Sequence, residues 1–114
     1  GDYSVRGFEN VFAIERKSLV DCYGTFGRGR ERFVRELERF RDYDYAGLVI
    51  ESSLVGLKHP PKHVEKVSPA VVIHSLIGWS IDFPNLRIWL GCDREHSAFL
   101  TYRIGRMYAE RRKK

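Results

Sequence analysis

Val11-Phe12-Ala13-Ile14-Glu15-Arg16-Lys17-Ser18-Leu19-Val20-Asp21 reads as a strand that runs directly into a helix. Phe12, Ile14 and Arg16 fall on one face of the extended part, and Val11, Ala13, Glu15 and Lys17 on the other. Successive side chains of a strand point to opposite sides, so Glu15 and Lys17 share a face. Ser18 supplies the side-chain oxygen of an N-cap, and the short helix it opens, with Leu19, Val20 and Asp21, is expected to end at Gly24. A strand followed by a helix is the elementary step of an α/β protein.

Upstream, Tyr3-Ser4-Val5 reads as a further strand joined to the first by a turn containing Gly7 and Asn10. Downstream, Gly27-Arg28-Gly29-Arg30 leads into a helix to about Arg41. Phe33, Leu37 and Phe40 form its apolar stripe, and Glu31–Arg35 and Arg32–Glu36 are i,i+4 pairs on the wet side. Tyr45 to Glu51 is a buried strand. Ser52 to Val67 has no clean period and contains Pro60-Pro61, so it is expected to be a long loop. Ser68-Pro69 starts a helix to about Ile81, and Leu86 to Leu90 is a strand. Asp93 caps a last helix with Leu100, Ile104 and Met107 as its apolar stripe and a basic end at Arg111-Arg112-Lys113-Lys114. The order β-β-α-α-β-α-β-α predicts an α/β fold, a mixed β-sheet flanked by helices.

The chain has 114 residues, 43% of them hydrophobic and 13% aromatic, which suits one domain spanning 1–114 and excludes a disordered tail. No apolar run is long enough to span a bilayer, and no secretory leader is visible, so an intracellular setting (cytoplasm, nucleoid or nucleus) without membrane association is expected. Cys22 and Cys92 form no zinc-binding pattern and are expected to be buried reduced thiols. A net charge of +5 points to a polyanionic partner. The first residue is Gly rather than Met, and the chain is expected to be N-terminally incomplete.

Glu15 and Lys17 hold the chemistry. An acid and an amine on one strand face can bind a divalent cation and position a water beside it. Asp2, at the start of the preceding segment, joins them in a suitable hairpin register. Two carboxylates with one ammonium suit phosphodiester hydrolysis, whereas a bare Glu–Lys pair on a surface is worth well under about 1 kcal/mol and does nothing.

The wider pattern goes further. Gly1-Asp2-Tyr3, then Ile14-Glu15-Arg16-Lys17, then Asp21 four positions beyond Lys17, resembles the signature of the XPF-type structure-selective endonucleases, the ERCC-four nuclease domain. Gly29-Arg30 continues the resemblance. The resemblance implies a restriction-endonuclease-like fold of the PD-(D/E)xK class and Mg²⁺ chemistry in which Mn²⁺ may substitute. It implies Asp2 and Glu15 as metal ligands, with Asp2, Glu15 and Lys17 as catalytic residues. Arg16, Asp21, Arg28, Arg30 and Arg32 would contact DNA or brace the site, Arg32 taking the role of Arg30 where the following aromatic, Phe33, is shifted by about one place. It also implies action at flaps, forks and other branched DNA, roles in DNA repair or recombination, and a homodimer. Members carry an earlier acidic strand, so the sheet is expected to lack its first strand. The alternatives are a nuclease-like module that binds DNA or a protein partner without cutting, and an RNA- or duplex-directed nuclease of the same fold class.

The remaining features have plainer readings. His59 and His63 flank Pro60-Pro61, which forbids the helix that would align them as metal ligands, and a surface loop is expected. His74, Trp79 and Trp89 lie in periodic apolar segments and are expected to be core or interface residues. Arg103, Arg106, Arg111 and Lys113 read as a charged helix face.

Overall fold

The computed structural model describes residues 2–64 and 67–112. Gly1 of the signature and Lys113 and Lys114 of the basic end lie outside them. The elements are β1 (Phe12–Ser18), α1 (Leu19–Phe26), α2 (Arg30–Arg39), β2 (Tyr45–Glu51), α3 (Leu54–Lys58), α4 (Pro69–Asp82), β3 (Leu86–Leu90) and α5 (Arg94–Arg112). The three strands form one sheet in the order β1-β2-β3, parallel throughout. Parallel strands require crossovers, which α1–α2 and α3–α4 supply.

Alternation along the strands divides the core in two. Leu48 and Ile50 of β2 and Leu86 of β3 point to a cluster built with Cys22, Tyr23, Phe26, Phe33, Leu37, Leu57, Val72, Leu76 and Trp79 from α1 to α4. Phe12, Ile14 and Val49 point the other way, to Ile104 and Tyr108 of α5 and to Val5 and Phe8. The result is a layered α/β/α domain in which β2 is buried on both faces, as a central parallel strand must be.

Several expectations are corrected. The sheet is not mixed: among the described residues antiparallel pairing is confined to one bridge, Tyr3–Ile14. Tyr3-Ser4-Val5 forms no strand because the chain reverses at once. The Phe8 N–H donates to the Val5 carbonyl at 2.8 Å, and Gly7 takes the left-handed conformation (φ 89°) that the turn needs. Val5 and Phe8 then cover the α5-side core. Gly24 does not end α1, which continues to Phe26 and is closed by the Gly27 N–H on the Tyr23 carbonyl. The aperiodic stretch after β2 contains the short helix α3, capped by Ser53. Cys92 is exposed and has a positive φ of 73°, while Cys22 is buried, and neither is in a disulfide. Burial pushes the Cys22 thiol up to about 12, so it is inert at neutral pH.

Helix α5 meets the sheet chiefly with small residues: of the expected stripe Ile104 packs on the core and Leu100 is half-buried, but Met107 is not. Ser97, Thr101 and Gly105 are buried, whereas Met107 is 50% exposed. Small residues at four-residue spacing allow close approach. A Cβ on Gly105 would lie 3.3 Å from Val5, and one on Gly91 would lie 2.9 Å from the Ser97 Cα. Gly91→Ala must therefore push backbone apart and should lower unfolding free energy by about 1–3 kcal/mol in chemical denaturation. Gly78→Ala, in α4 with open space at the same atom, should raise it by about 0.5–1 kcal/mol.

Candidate functional site

Ser18 accepts the Asp21 N–H at 3.1 Å, so α1 begins where β1 ends. The register pairs Lys17 with Ile50 and Ser18 with Glu51, which puts Glu15, Lys17 and Glu51 toward the carboxyl ends of the parallel strands. Open α/β sheets bind their ligands at that end.

The pleat separates the three residues of Glu15-Arg16-Lys17. Glu15 and Lys17 face the α1–α2 layer. Their charged atoms are 3.5 Å apart, and the side chains are only 20% and 14% exposed. The Lys17 ammonium also sits over the Phe33 ring, 5.4 Å from its centroid. Both residues line a cleft of about 330 Å³ with Thr25, Arg32, Phe33 and Glu36.

Arg16 faces the opposite layer. Its guanidinium donates to Glu51 at 2.9 Å, to the Tyr3 hydroxyl at 3.1 Å and to the Arg94 carbonyl at 3.4 Å, and it stacks on the Tyr3 ring. Burial opposes its charge, but the hydrogen bonds to Glu51 and Tyr3 prevail and raise its pKa. Arg16 is a brace that ties β1, β2, the N-terminal segment and α5 together. Its Nε is buried and has no hydrogen-bond partner among the described residues.

Asp2 lies between the two sides. The Tyr3–Ile14 bridge brings it alongside Glu15, and its Oδ2 accepts the Arg16 backbone N–H at 3.1 Å. It lines a wider cleft of about 760 Å³ with Arg16, Asp21, Glu51, Arg94 and Glu95. Arg28 is exposed in the turn before α2. Arg30 turns away from the Glu15 cleft, donating to Ser75 Oγ at 2.7 Å and stacking on Trp79, 5.1 Å from the centroid. Arg32 occupies the cleft in its place. Trp79 is a core residue, as its apolar surroundings suggested, but Trp89 is 41% exposed, and His74 is exposed too.

Helical spacing alone makes Glu36 a solvent-facing partner of Arg32, whereas the structure places it in the cleft beside Glu15. Its position one residue before the buried Leu37 and three after the buried Phe33 was the available signal. Partial burial raises the Glu15 pKa to about 7. Lys17 opposes that rise, while the charges of Asp2 and Glu36 and a carboxyl–carboxyl hydrogen bond with Glu36 add to it.

Among the described residues no three His, Cys, Asp or Glu side chains gather as a ready-made metal cage. Carboxylate oxygens are nonetheless the donors that Mg²⁺ takes, and it commonly uses only one or two of them while keeping several waters. The mutual repulsion of Glu15, Glu36 and Asp2 is what a cation would relieve. The donor set therefore fits a hard divalent ion held loosely at Glu15, with Asp2 and Glu36 within electrostatic reach.

Because the pKa of Glu15 is raised on folding, the native chain holds a proton between about 4.5 and about 7 that the unfolded chain has released. Stability must fall as pH rises through that window. Without divalent ions, Glu15→Gln should stabilise the fold by on the order of 1–3 kcal/mol above pH ~8, and the gain should vanish below pH ~4. Thermal unfolding at both pH values measures the difference, and equal stability at high pH would refute the burial penalty. No family model matches this chain, and no curated protein is significantly similar to it in sequence.

Proposed function

We propose that this chain is a metal-dependent DNA endonuclease that hydrolyses phosphodiester bonds at branched, flapped or forked DNA. The observation that carries the reading is the Glu15–Lys17 pair, 3.5 Å apart and largely shielded in an open cleft at the carboxyl end of the sheet. The resemblance of Gly1-Asp2-Tyr3, Glu15-Arg16-Lys17 and Asp21 to the XPF-type signature supports it. The layered α/β frame is compatible with the restriction-endonuclease-like class to which that signature points.

Mg²⁺, or Mn²⁺ in its stead, would supply a polarised phosphate and a more acidic water. Glu15 would hold the ion, with Asp2 and Glu36 adding negative potential from either side. The Lys17 ammonium donates to a phosphate oxygen and offsets the charge that builds there. Arg32, on the first turn of α2, and Arg28, in the turn before it, steer the strand by its backbone phosphates. Arg16 does not touch the substrate in this scheme. It fixes β1 against β2 so that Glu15 and Lys17 keep their spacing.

The second reading, a module that binds DNA or a partner without cutting it, draws on one observation. Asp2 spends an oxygen on the Arg16 amide and lines the far cleft rather than the Glu15 cleft.

Cleavage of flapped, forked, linear duplex and RNA substrates in Mg²⁺ separates these readings. Glu15→Ala and Lys17→Ala should each lower the rate at least ~100-fold while circular dichroism stays native. Undiminished cutting in EDTA, or a fully active Lys17→Ala chain, would refute the mechanism. Salt-sensitive binding without turnover in any divalent ion would establish the second reading instead.

A further inference from the structure

Helix α5 buries Ser97, Thr101 and Gly105 against the sheet. At about 3.6 residues per turn, Phe99 and Arg103 then stand on the crest facing away from it. Tyr102 and Arg106 take the flank beside Tyr3, Ser4 and Val5. Phe99 is 60% and Tyr102 62% exposed, a costly way to place two aromatic rings unless something covers them.

Each ring is matched with an arginine one turn further on. The Arg103 guanidinium lies 5.8 Å from the Phe99 centroid, and Arg106 donates to the Tyr102 hydroxyl at 3.2 Å. The charge of the helix is biased the same way, five arginines against two glutamates from Arg94 to Arg112. Asp44 answers Arg112, and Glu110 lies 3.8 Å from Arg106. Arg103 and Arg111 meet no carboxylate among the described residues. An exposed surface that interleaves flat rings with guanidinium forks offers stacking and phosphate contacts together. Nucleic acid uses both only where its bases are unpaired, because a duplex keeps its base faces stacked on one another.

The row is also connected to the site. Helix α5 begins at the carboxyl end of the sheet, where Arg94 and Glu95 line the wide cleft that holds Asp2 and Arg16. The groove edged by Tyr102 and Arg106, of about 670 Å³, shares Tyr3, Arg16 and Ala98 with that cleft. One surface therefore runs from Asp2, beside Glu15, onto the flank of α5.

We propose that this side of α5 binds an unpaired nucleic-acid strand, its bases laid on Phe99 and Tyr102 and its phosphates held by Arg103 and Arg106. The inference deepens the nuclease reading, on which it rests, by giving the unpaired arm of a flapped or forked substrate a track of its own. The contact itself requires neither the ion nor Glu15.

Fluorescence anisotropy of a labelled oligothymidylate of ~15 nucleotides, titrated with the full chain in EDTA across a salt series, tests this. Phe99→Ala and Tyr102→Ala should each weaken binding roughly tenfold and leave its salt dependence unchanged. The double variant Arg103→Ala/Arg106→Ala should flatten the slope of log K against log salt by about 1.4, the value for two phosphates of a single strand. Ile81→Ala, at an exposed isoleucine of α4, should bind as the wild type does. Each variant should keep native circular dichroism. A wild type that does not bind the oligonucleotide, or that prefers a blunt duplex of the same length, would overturn the proposal. Binding that survives the ring substitutions, or a slope that survives loss of both arginines, would overturn it equally. No cleavage enters the measurement, so a chain that binds through these residues and never cuts would support the track while refuting the nuclease reading.

Discussion

The pleat of β1 is the constraint from which the rest follows. Three consecutive charged residues, Glu15, Arg16 and Lys17, enter a largely buried strand, and an extended backbone must send the middle one to the opposite side. A one-residue slip of β1 against β2 would exchange the faces and drive Phe12 and Ile14 out of their core. Apolar burial of those two side chains, each 1% exposed, therefore fixes which charges meet in the Glu15 cleft. The Glu15–Lys17 pair is held in place by residues that have no chemistry of their own.

The arginine sent to the other side creates the second requirement. A half-buried guanidinium costs free energy unless its donors are answered. Glu51 answers from the neighbouring strand, Tyr3 from the N-terminal segment and the Arg94 carbonyl from the start of α5. The three partners come from distant parts of the chain. Satisfying Arg16 thus orders the N-terminal segment that carries Asp2, and the position of Asp2 beside Glu15 is partly a consequence of the arginine's hydrogen-bonding demand. One backbone bridge at Tyr3 is thereby supplemented by a side chain that reaches Arg16.

Much of this frame was legible from periodicity alone. Tyr45–Glu51 and Leu86–Leu90 have the bounds that their apolar runs predicted, and the Ser68-Pro69 start of α4 followed from capping chemistry. Local sequence was silent wherever a tertiary contact outweighed it. Leu100 and Met107 looked like the buried stripe of α5, but a helix that must lie close to Gly91 and Phe12 turns its smallest residues inward. Helical spacing alone allows either rotation. At the site, β alternation was enough to pair Glu15 with Lys17, whereas the choice between Arg30 and Arg32 depended on Trp79 and Ser75, more than forty residues away, capturing Arg30. Glu36 escaped notice because an i,i+4 partner on the same helix gave it a satisfactory account without the sheet.

Two regions stand out among the places where the chain breaks its own local rules. One is the Glu15 cleft, where a carboxylate is kept partly buried beside two more carboxylates and only one close ammonium. The other is the uncharged outer side of α4 next to an open strand edge. Neither improves the isolated fold: the first opposes ionisation of an acid at neutral pH, and the second leaves isoleucine in water. Elsewhere the domain follows ordinary practice, with side-chain caps on α1, α3 and α4, a doubly covered central strand and an Arg41–Glu38 pair at the end of α2. Costs so localised, in a sequence otherwise consistent from propensity to packing, are the physical mark of surfaces shaped for something outside the chain. In the cleft the crowding of Glu15, Glu36 and Asp2 is met by a proton on Glu15 until about pH 7, and a cation would serve the same end above it.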